Sequence, residues 1–181
     1  MQKPNLWVVM VNWNLKEVTL ECLESLFGLD YSDFQVVVVD NGSNDDSQAA
    51  ISARYPQVHQ VKIPINRGST FGYNTGFRYA LKAGAEYIFL ISNDTLIAPD
   101  ALDHLLAHCQ QPGIGITGPL IFYASAPEKI WSAGANRSPL NLDLLGEHGR
   151  SQTFNEVMSR DFLTACAMLI LTELIFTMVT E

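Results

Sequence analysis

Four short apolar runs punctuate the first half of the chain: "LWVVMVN" from Leu6 to Asn12, "FQVVVVD" from Phe34 to Asp40, "VHQVKI" from Val58 to Ile63 and "YIFLIS" from Tyr87 to Ser92. Three of them are nearly unbroken and rich in β-branched residues, which predicts parallel strands covered by helices on both faces. The run at Val58 alternates with polar residues and predicts an edge strand. Between the runs, Leu15, Val18, Cys22 and Leu26 recur at helical spacing, as do Tyr73, Phe77, Ala80, Leu81 and Gly84, and later Leu102, Leu105, Leu106 and Cys109. Each set makes one buried stripe. Gly28 predicts the end of the first helix, Ser43 or Asn44 with Asp45 and Asp46 the start of the second, and Pro56 its stop. The order is βαβα, the pattern of an α/β fold.

Beyond Pro112 the texture changes. "GIGITGPLIFY" predicts one further strand, and the Gly-, Ser-, Pro- and Asn-rich stretch from Ala124 to Thr153 predicts loops with short strands. "DFLTACAMLIL" predicts a buried strand, Phe162 to Leu171, that returns to the sheet and runs into the start of a helix. The apolar stretch from Phe162 to Val179 nearly reaches the length of a membrane span, but Glu173 sits inside it among Thr164, Thr172 and Thr177, and the strand reading is preferred.

Composition narrows the function. With 181 residues, 48% hydrophobic and 17% charged, the chain reads as one folded domain. Its net charge of -8 opposes attraction to nucleic-acid phosphates, so no nucleic acid is expected as partner, and an anionic small ligand would need a metal ion, a helix N-terminus or a local basic group. Cys22, Cys109 and Cys166 are widely spaced in apolar surroundings and read as buried thiols in a reducing compartment. The N-terminal apolar run is too short and too polar-ended for a signal peptide, so a cytoplasmic location is expected.

In an open parallel sheet ligands bind beyond the carboxyl ends of the strands. Those ends carry Asn12, Asp40, Asn66 in "PINRGS", and Asn93 with Asp94. Any one of them is explained by turn chemistry. Four strands ending alike, two of them on an acid, point to a site. The first strand lacks the G-x-G-x-x-G of dinucleotide folds and no P-loop is present. Gly68, Gly72 and Gly76, four apart, suit a close helix approach or a phosphate contact. His104 and His108 lack a third zinc ligand and read as surface histidines. Trp13 and Trp131 suit stacking on a ligand or core packing equally.

The motifs "VVMVNWN" followed by "CLESL", then "VVVVDNGSNDDS", "NRGSTFGYNTGF", "YIFLISNDT", "KIWSAGA" and "DFLTACAMLI" together resemble the family 2 glycosyltransferases of the GT-A fold, above all the rhamnosyltransferase-like branch. The resemblance implies a Rossmann-like, mostly parallel sheet flanked by helices, with residues 1–111 as the nucleotide-sugar half and 112–181 as an incomplete acceptor half. It implies transfer of a sugar, rhamnose among the candidates, from a UDP- or dTDP-sugar donor to a glycan or lipid-linked acceptor, with inversion, and peripheral association with the inner face of the membrane. Asp94, last residue of "SND", is similar to the final acid of the family's D-x-D motif and would hold Mg²⁺ or Mn²⁺, the first acid being replaced by Ser92. Asp40 is similar to the acid that accepts the imide N–H of uracil or thymine. Asn12 would lie beside the base, and Asn66, Gly68 and Asn74 along the ribose and phosphates, with Asn93, the middle residue of "SND", also binding the nucleotide.

Inverting transfer needs a base. The family supplies it from Gly-Phe-Asp and Glu-Asp segments downstream of "LTACAMLI", and "LTELIFTMVTE" does not resemble them. Relative to the family the chain therefore reads as shortened at its C-terminal end, with the catalytic base unassigned and Glu173 or Glu181 poor substitutes. Two alternatives stand beside transfer: a nucleotide-sugar-binding module without activity, and a flavodoxin-like phosphoacceptor on Asp40, which lacks the expected lysine.

Overall fold

The computed structural model describes residues 4–137, 144–146 and 156–179. Strands β1 (Leu6–Asn12), β2 (Phe34–Asn41), β3 (His59–Ile63) and β4 (Tyr87–Ser92) alternate with helices α1 (Lys16–Phe27), α2 (Ser47–Arg54), α3 (Ser69–Lys82) and α4 (Ala101–Cys109). Then follow β5 (Ile116–Thr117), β6 (Ile121–Tyr123), β7 (Ala126–Ser132), β8 (Ala135–Arg137), β9 (Leu144–Gly146), β10 (Ala167–Leu171) and α5 (Thr172–Val179). The main sheet runs β3-β2-β1-β4-β10-β5, with β3 on the expected edge. Strands β1 to β4 are mutually parallel, while β10 pairs antiparallel with β4 and β5. Two small hairpins, β6-β7 and β8-β9, lie outside this sheet.

Strand periodicity explains the two cores. Leu6, Val8 and Met10 of β1 face one side with Leu23 and Leu26 of α1, Ile51 of α2 and Leu102 of α4, whereas Trp7 and Val9 face the other with Ala80 of α3 and Ile175 of α5. Because successive side chains leave a strand on opposite faces, an unbroken apolar run can fill both cores at once. Each fully buried Val or Leu contributes about 1.5–3 kcal/mol. Helix α3 lies especially close to the sheet: a Cβ on Gly72 would stand 2.8 Å from Val11 Cγ1, and one on Gly76 would overlap Val9 and approach Val39 Cγ2 to 3.2 Å. Helix α5 is tied in where Thr172 donates from both its N–H and its hydroxyl to Glu86 O, each at 3.0 Å.

Several boundaries differ from expectation, each for a local reason. Gly84 is not part of the α3 stripe but follows the helix at φ 79°, with Ala85 N donating to Ala80 O and Gly84 N to Leu81 O, both at 3.0 Å, a C-terminal cap that needs a glycine. Helix α2 starts at Ser47, later than Ser43 or Asn44, because those two residues bond instead to the turn after β1. "GIGITGPLIFY" forms two strands in different sheets, broken at Gly118-Pro119. The returning strand begins at Ala167 rather than Phe162, which makes a single bridge to Ala135 and is 49% exposed. The loops expected over 138–143 and 147–155, and Glu181, lie outside the described residues.

The close approach of α3 yields a test that separates packing from helix propensity. Gly76→Ala improves intrinsic propensity by roughly 1 kcal/mol, yet overpacking against Val9 costs about 1–3 kcal/mol. Urea unfolding should therefore show a lowered midpoint at unchanged slope, and an equal or raised midpoint would mean that α3 can move off the sheet without cost.

Candidate functional site

The carboxyl ends of β1, β2 and β4 come together through register: Asn12 stands opposite Asp40, and Val11 opposite Ser92. The chain leaves β1 through two consecutive residues in the left-handed region, Asn14 at φ 56° and Leu15 at φ 60°. Neither is glycine, so the turn is strained and must be held by its surroundings. The loop after β2 holds it. Ser43 Oγ accepts from Asn14 N at 2.8 Å and from Asn12 Nδ2 at 3.2 Å, and Asn44 N donates to Asn14 Oδ1 at 2.9 Å. Lys16 adds an ion pair to Asp46 at 3.0 Å. The strained turn leaves Trp13 53% and Leu15 55% exposed at the end of β1.

Asp40 is buried, at 2% exposure, and its carboxylate is met by donors on both oxygens. Oδ1 accepts from Asn12 Nδ2 at 3.3 Å, and Oδ2 accepts from Gln48 Nε2 at 3.0 Å and Ser43 N at 3.4 Å. A buried carboxylate without such donors would be strongly unfavourable. Asn12 is itself fully buried and accepts on Oδ1 from Thr19 Oγ1 at 2.8 Å and from Asn93 Nδ2 at 3.4 Å. Asn93 Nδ2 also donates to Thr19 Oγ1 at 2.9 Å.

Asn41, the next residue, fastens the loop after β3. Its Nδ2 donates to Asn66 Oδ1 at 3.0 Å and Gly68 O at 3.1 Å, while its Oδ1 accepts from Arg67 N at 3.1 Å. Gly42, at φ 79°, lets the two loops touch: a Cβ there would lie 2.5 Å from Asn66 N. Arg67, exposed, stacks its guanidinium 3.7 Å from the centre of the Phe71 ring.

These elements enclose a cavity of about 290 Å³ lined by Val11, Trp13, Asn41, Asn66, Gly68, Ser69, Tyr73 and Asn93, with Leu15 at its side. Gly68 and Ser69 stand where α3 begins, so the helix N-terminus faces this space. Asp94, directly after Asn93, is exposed and enters no hydrogen bond or ion pair among the described residues. Below it, burial pushes the Cys22 thiol up to about 12, with the Asp94 charge adding to the rise. No group of three or more His, Cys, Asp or Glu that could cage a metal occurs among the described residues. A hard divalent cation fits what is present: one exposed carboxylate oxygen donor whose other ligands would be water and a bound anion, the usual habit of Mg²⁺.

The structure thus brings Asn12, Asp40, Asn66, Gly68, Asn93 and Asp94 to one rim. Asn12 lies wholly beneath the surface, as the partner of Asp40. Asn74 is half-buried on α3 and outside the cavity lining, where Tyr73 takes its place. Trp13 is exposed beside the cavity and Trp131 half-buried, while His104 pairs with Asp100 at 3.5 Å and His108 contacts Gln111 at 3.2 Å. Cys22 and Cys109 are buried free thiols, but Cys166 is half-buried, its Sγ 3.1 Å from Thr95 Oγ1. Sequence reasoning missed Asn41, which stands in the Asp-Asn-Gly of an ordinary turn, and Thr19, a polar residue hidden between Val18 and Cys22 in a helical stripe. A larger cavity of about 1020 Å³ between α4, the loop around Gly118 and Arg160 shares no residue with this rim.

The family model described as glycosyl transferase family 2 matches residues 7–167. Among curated relatives, the dTDP-rhamnosyl transferase RfbF of Shigella flexneri is 29% identical over 116 residues, covering 64% of this chain and 38% of that protein. The poly-beta-1,6-N-acetyl-D-glucosamine synthase of Staphylococcus epidermidis is 27% identical over 111 residues, 59% of this chain and 26% of its own length. The chain thus matches well under half the length of these relatives. Of solved structures, the mannosyltransferase PcManGT from Pyrobaculum calidifontis, in complex with GDP-Man and Mn2+, superposes with a TM-score of 0.68 at 19% identity, over 98% of this chain and 47% of that one. S. aureus TarS 1-349 gives 0.64 at 17% identity, over 97% and 49%. Their shared fold is the GT-A fold, and the extended match to the family model shows that this chain belongs to glycosyl transferase family 2.

Proposed function

We propose that the protein transfers a sugar from a UDP- or dTDP-sugar to a hydroxyl of a glycan or lipid-linked acceptor in polysaccharide or cell-surface glycan synthesis, with a divalent metal and inversion at the anomeric carbon. One observation carries this reading: a buried acid, Asp40, near the end of β2, and an exposed acid, Asp94, just past the end of β4 and without a hydrogen-bond or ion-pair partner among the described residues, stand on either side of β1, whose Val11 lines the cavity. The similar dTDP-rhamnosyl transferase and the GDP-Man and Mn2+ complex of PcManGT support the donor class and the metal. Residues 1–111 would hold the nucleotide sugar and residues 112–181 would form part of the acceptor side. Among the described residues no helix is long and apolar enough to cross a membrane. A lipid-linked acceptor would be met by peripheral association at the cytoplasmic face.

The residues divide the work by burial. Asp40 Oδ1 accepts one internal hydrogen bond, which leaves an acceptor position for the imide N–H of uracil or thymine. Adenine has no such donor. Asn66, Gly68 and the N-terminus of α3 would face the ribose and diphosphate, where backbone N–H groups and the helix dipole favour anions. Asn74, one turn further along α3, would support that side. Asp94 would hold Mg²⁺ or Mn²⁺ together with the diphosphate, Asn93 orienting the motif from below. A cation there supplies positive charge to the diphosphate as the glycosidic bond breaks.

A second reading is a module that holds the nucleotide sugar without transferring it: of the two acids at the rim, Asp40 is buried and hydrogen-bonded to Asn12, Ser43 and Gln48 and Asp94 is assigned to the metal, which leaves neither for the acceptor's proton. Glu173, exposed in the first turn of α5, has the setting of an ordinary helix-surface acid. Incubation with a UDP-sugar, metal and a hydroxyl acceptor distinguishes the two: release of UDP supports transfer, and donor binding with neither transfer nor hydrolysis supports the module.

Two substitutions test the assignment. Asp94→Ala should lower the Mn²⁺-dependent affinity for UDP and dTDP by at least about tenfold, near 1.4 kcal/mol, in calorimetric titration; equal binding by both proteins removes the metal role. Asp40→Asn, close in shape, should weaken UDP by roughly tenfold, as expected when a charged hydrogen-bond acceptor is lost, and should erase preference for UDP over ADP. An unchanged UDP/ADP ratio would show that the base is read elsewhere.

A further inference from the structure

A hydrogen-bond chain runs from Asp40 to Asn93, the residue that precedes Asp94, and its two inner links are buried. Asn93 Nδ2 donates to Thr19 Oγ1 at 2.9 Å, Thr19 Oγ1 donates to Asn12 Oδ1 at 2.8 Å, and Asn12 Nδ2 donates to Asp40 Oδ1 at 3.3 Å. Every link donates towards the carboxylate, so the links polarise one another. Thr19 and Asn12 are fully buried, and Asn93 is half-buried with its backbone next to Asp94. Thr19 is the only member supplied by a helix. The others close the carboxyl ends of β1, β2 and β4. Its hydroxyl is also the short link: without it, Asn93 keeps only the 3.4 Å contact to Asn12.

We infer that Thr19 is a positioning residue whose hydroxyl couples the two ends of the site, so that filling the base end at Asp40 strengthens cation binding at Asp94. This rests on the function proposed above and deepens it. A base whose imide N–H donates to Asp40 Oδ1 shares that acceptor with Asn12 Nδ2 and changes the pull on Asn12, and the adjustment passes through Thr19 to Asn93 and the backbone of Asp94. The direct contact from Asn93 Nδ2 to Asn12 Oδ1 has one link fewer, but at 3.4 Å it is longer than either bond of Thr19 Oγ1, at 2.9 and 2.8 Å, so the hydroxyl carries the stronger path. Thr19 touches neither base nor ion, and its effect should therefore appear in the coupling and not in either binding event alone.

Uridine provides a clean probe. It carries the base but no phosphate, so it cannot ligate the ion, and any effect of uridine on Mn²⁺ affinity must travel through the protein. Mn²⁺ is titrated by its electron paramagnetic resonance signal with and without saturating uridine. Wild type should bind Mn²⁺ about fivefold more tightly with uridine present, at the low end of ordinary coupling between sites. Thr19→Val, which keeps the shape and removes the hydroxyl, should bring that factor to about one, and Thr19→Ser should keep it. Asn93→Ala cuts the chain from its less buried end and should abolish the factor too, which keeps the test usable if Thr19→Val fails to fold. A wild-type factor of one, or a factor unchanged in the folded Val or Ala variant, overturns the inference. Binding of UDP with Mn²⁺ in wild type, run alongside, shows whether the proposed function fails with it or survives it.

Discussion

The hydrogen bond between Asn12 and Asp40 is the constraint around which the functional end of this molecule is arranged. Register puts the two residues side by side at the ends of β1 and β2, and burial makes their pairing compulsory. A carboxylate at 2% exposure has lost nearly all its water and must be repaid by donors from the protein. Asn12, Ser43 and Gln48 provide them, and each then has a fixed place. Ser43, so placed, also catches the N–H of Asn14 and holds a strained turn that leaves Trp13 at the cavity. The buried acid thus organises the loops after β1 and β2 and the start of α2.

A second constraint is steric. The loops after β2 and β3 can be laced together by Asn41 only because Gly42 leaves room for the backbone of Asn66. Likewise α3 can bring its N-terminus to the cavity only because Gly72 and Gly76 let it sit against Val11 and Val9. A Cβ at either point would lift the helix and withdraw Gly68 and Ser69 from the space they line. Packing on one face of the sheet therefore sets the geometry at its end.

Much of this was legible in the sequence because the relevant signals are local. Unbroken apolar runs gave β1, β2 and β4 nearly to the residue, since buried parallel strands leave no room for polar interruptions. The polar residues that close those runs marked the site for the same reason. What was hidden depends on long-range pairing. Ser43 and Asn44 have the chemistry of helix caps, and only the turn after β1 diverts them. Phe162 looks like strand, but the sheet accepts the chain only from Ala167, where antiparallel pairing with β4 begins. Thr19 occupies a helical stripe position, and nothing local distinguishes a hydroxyl that bonds to its own helix from one that bridges two strands.

Asp40 and Asp94 carry the same side chain at corresponding strand ends, yet their surroundings separate what they can do. Asp40 is dry and held by donors on both oxygens, with one acceptor position left on Oδ1, suited to a neutral donor whose position must be specific, because an unmatched partner there leaves a buried charge short of a hydrogen bond. Asp94 is open to water and without a partner among the described residues, suited to an ion that keeps most of its own hydration and is bound strongly only when a phosphate shares it. Under the proposed roles, exchanging the two environments would fail at both ends: a buried Asp94 would have to strip the ion, and an exposed Asp40 would read any ring with water filling the gaps. The proposed division of labour along this rim follows from burial, and burial follows from where β1, β2 and β4 end in register.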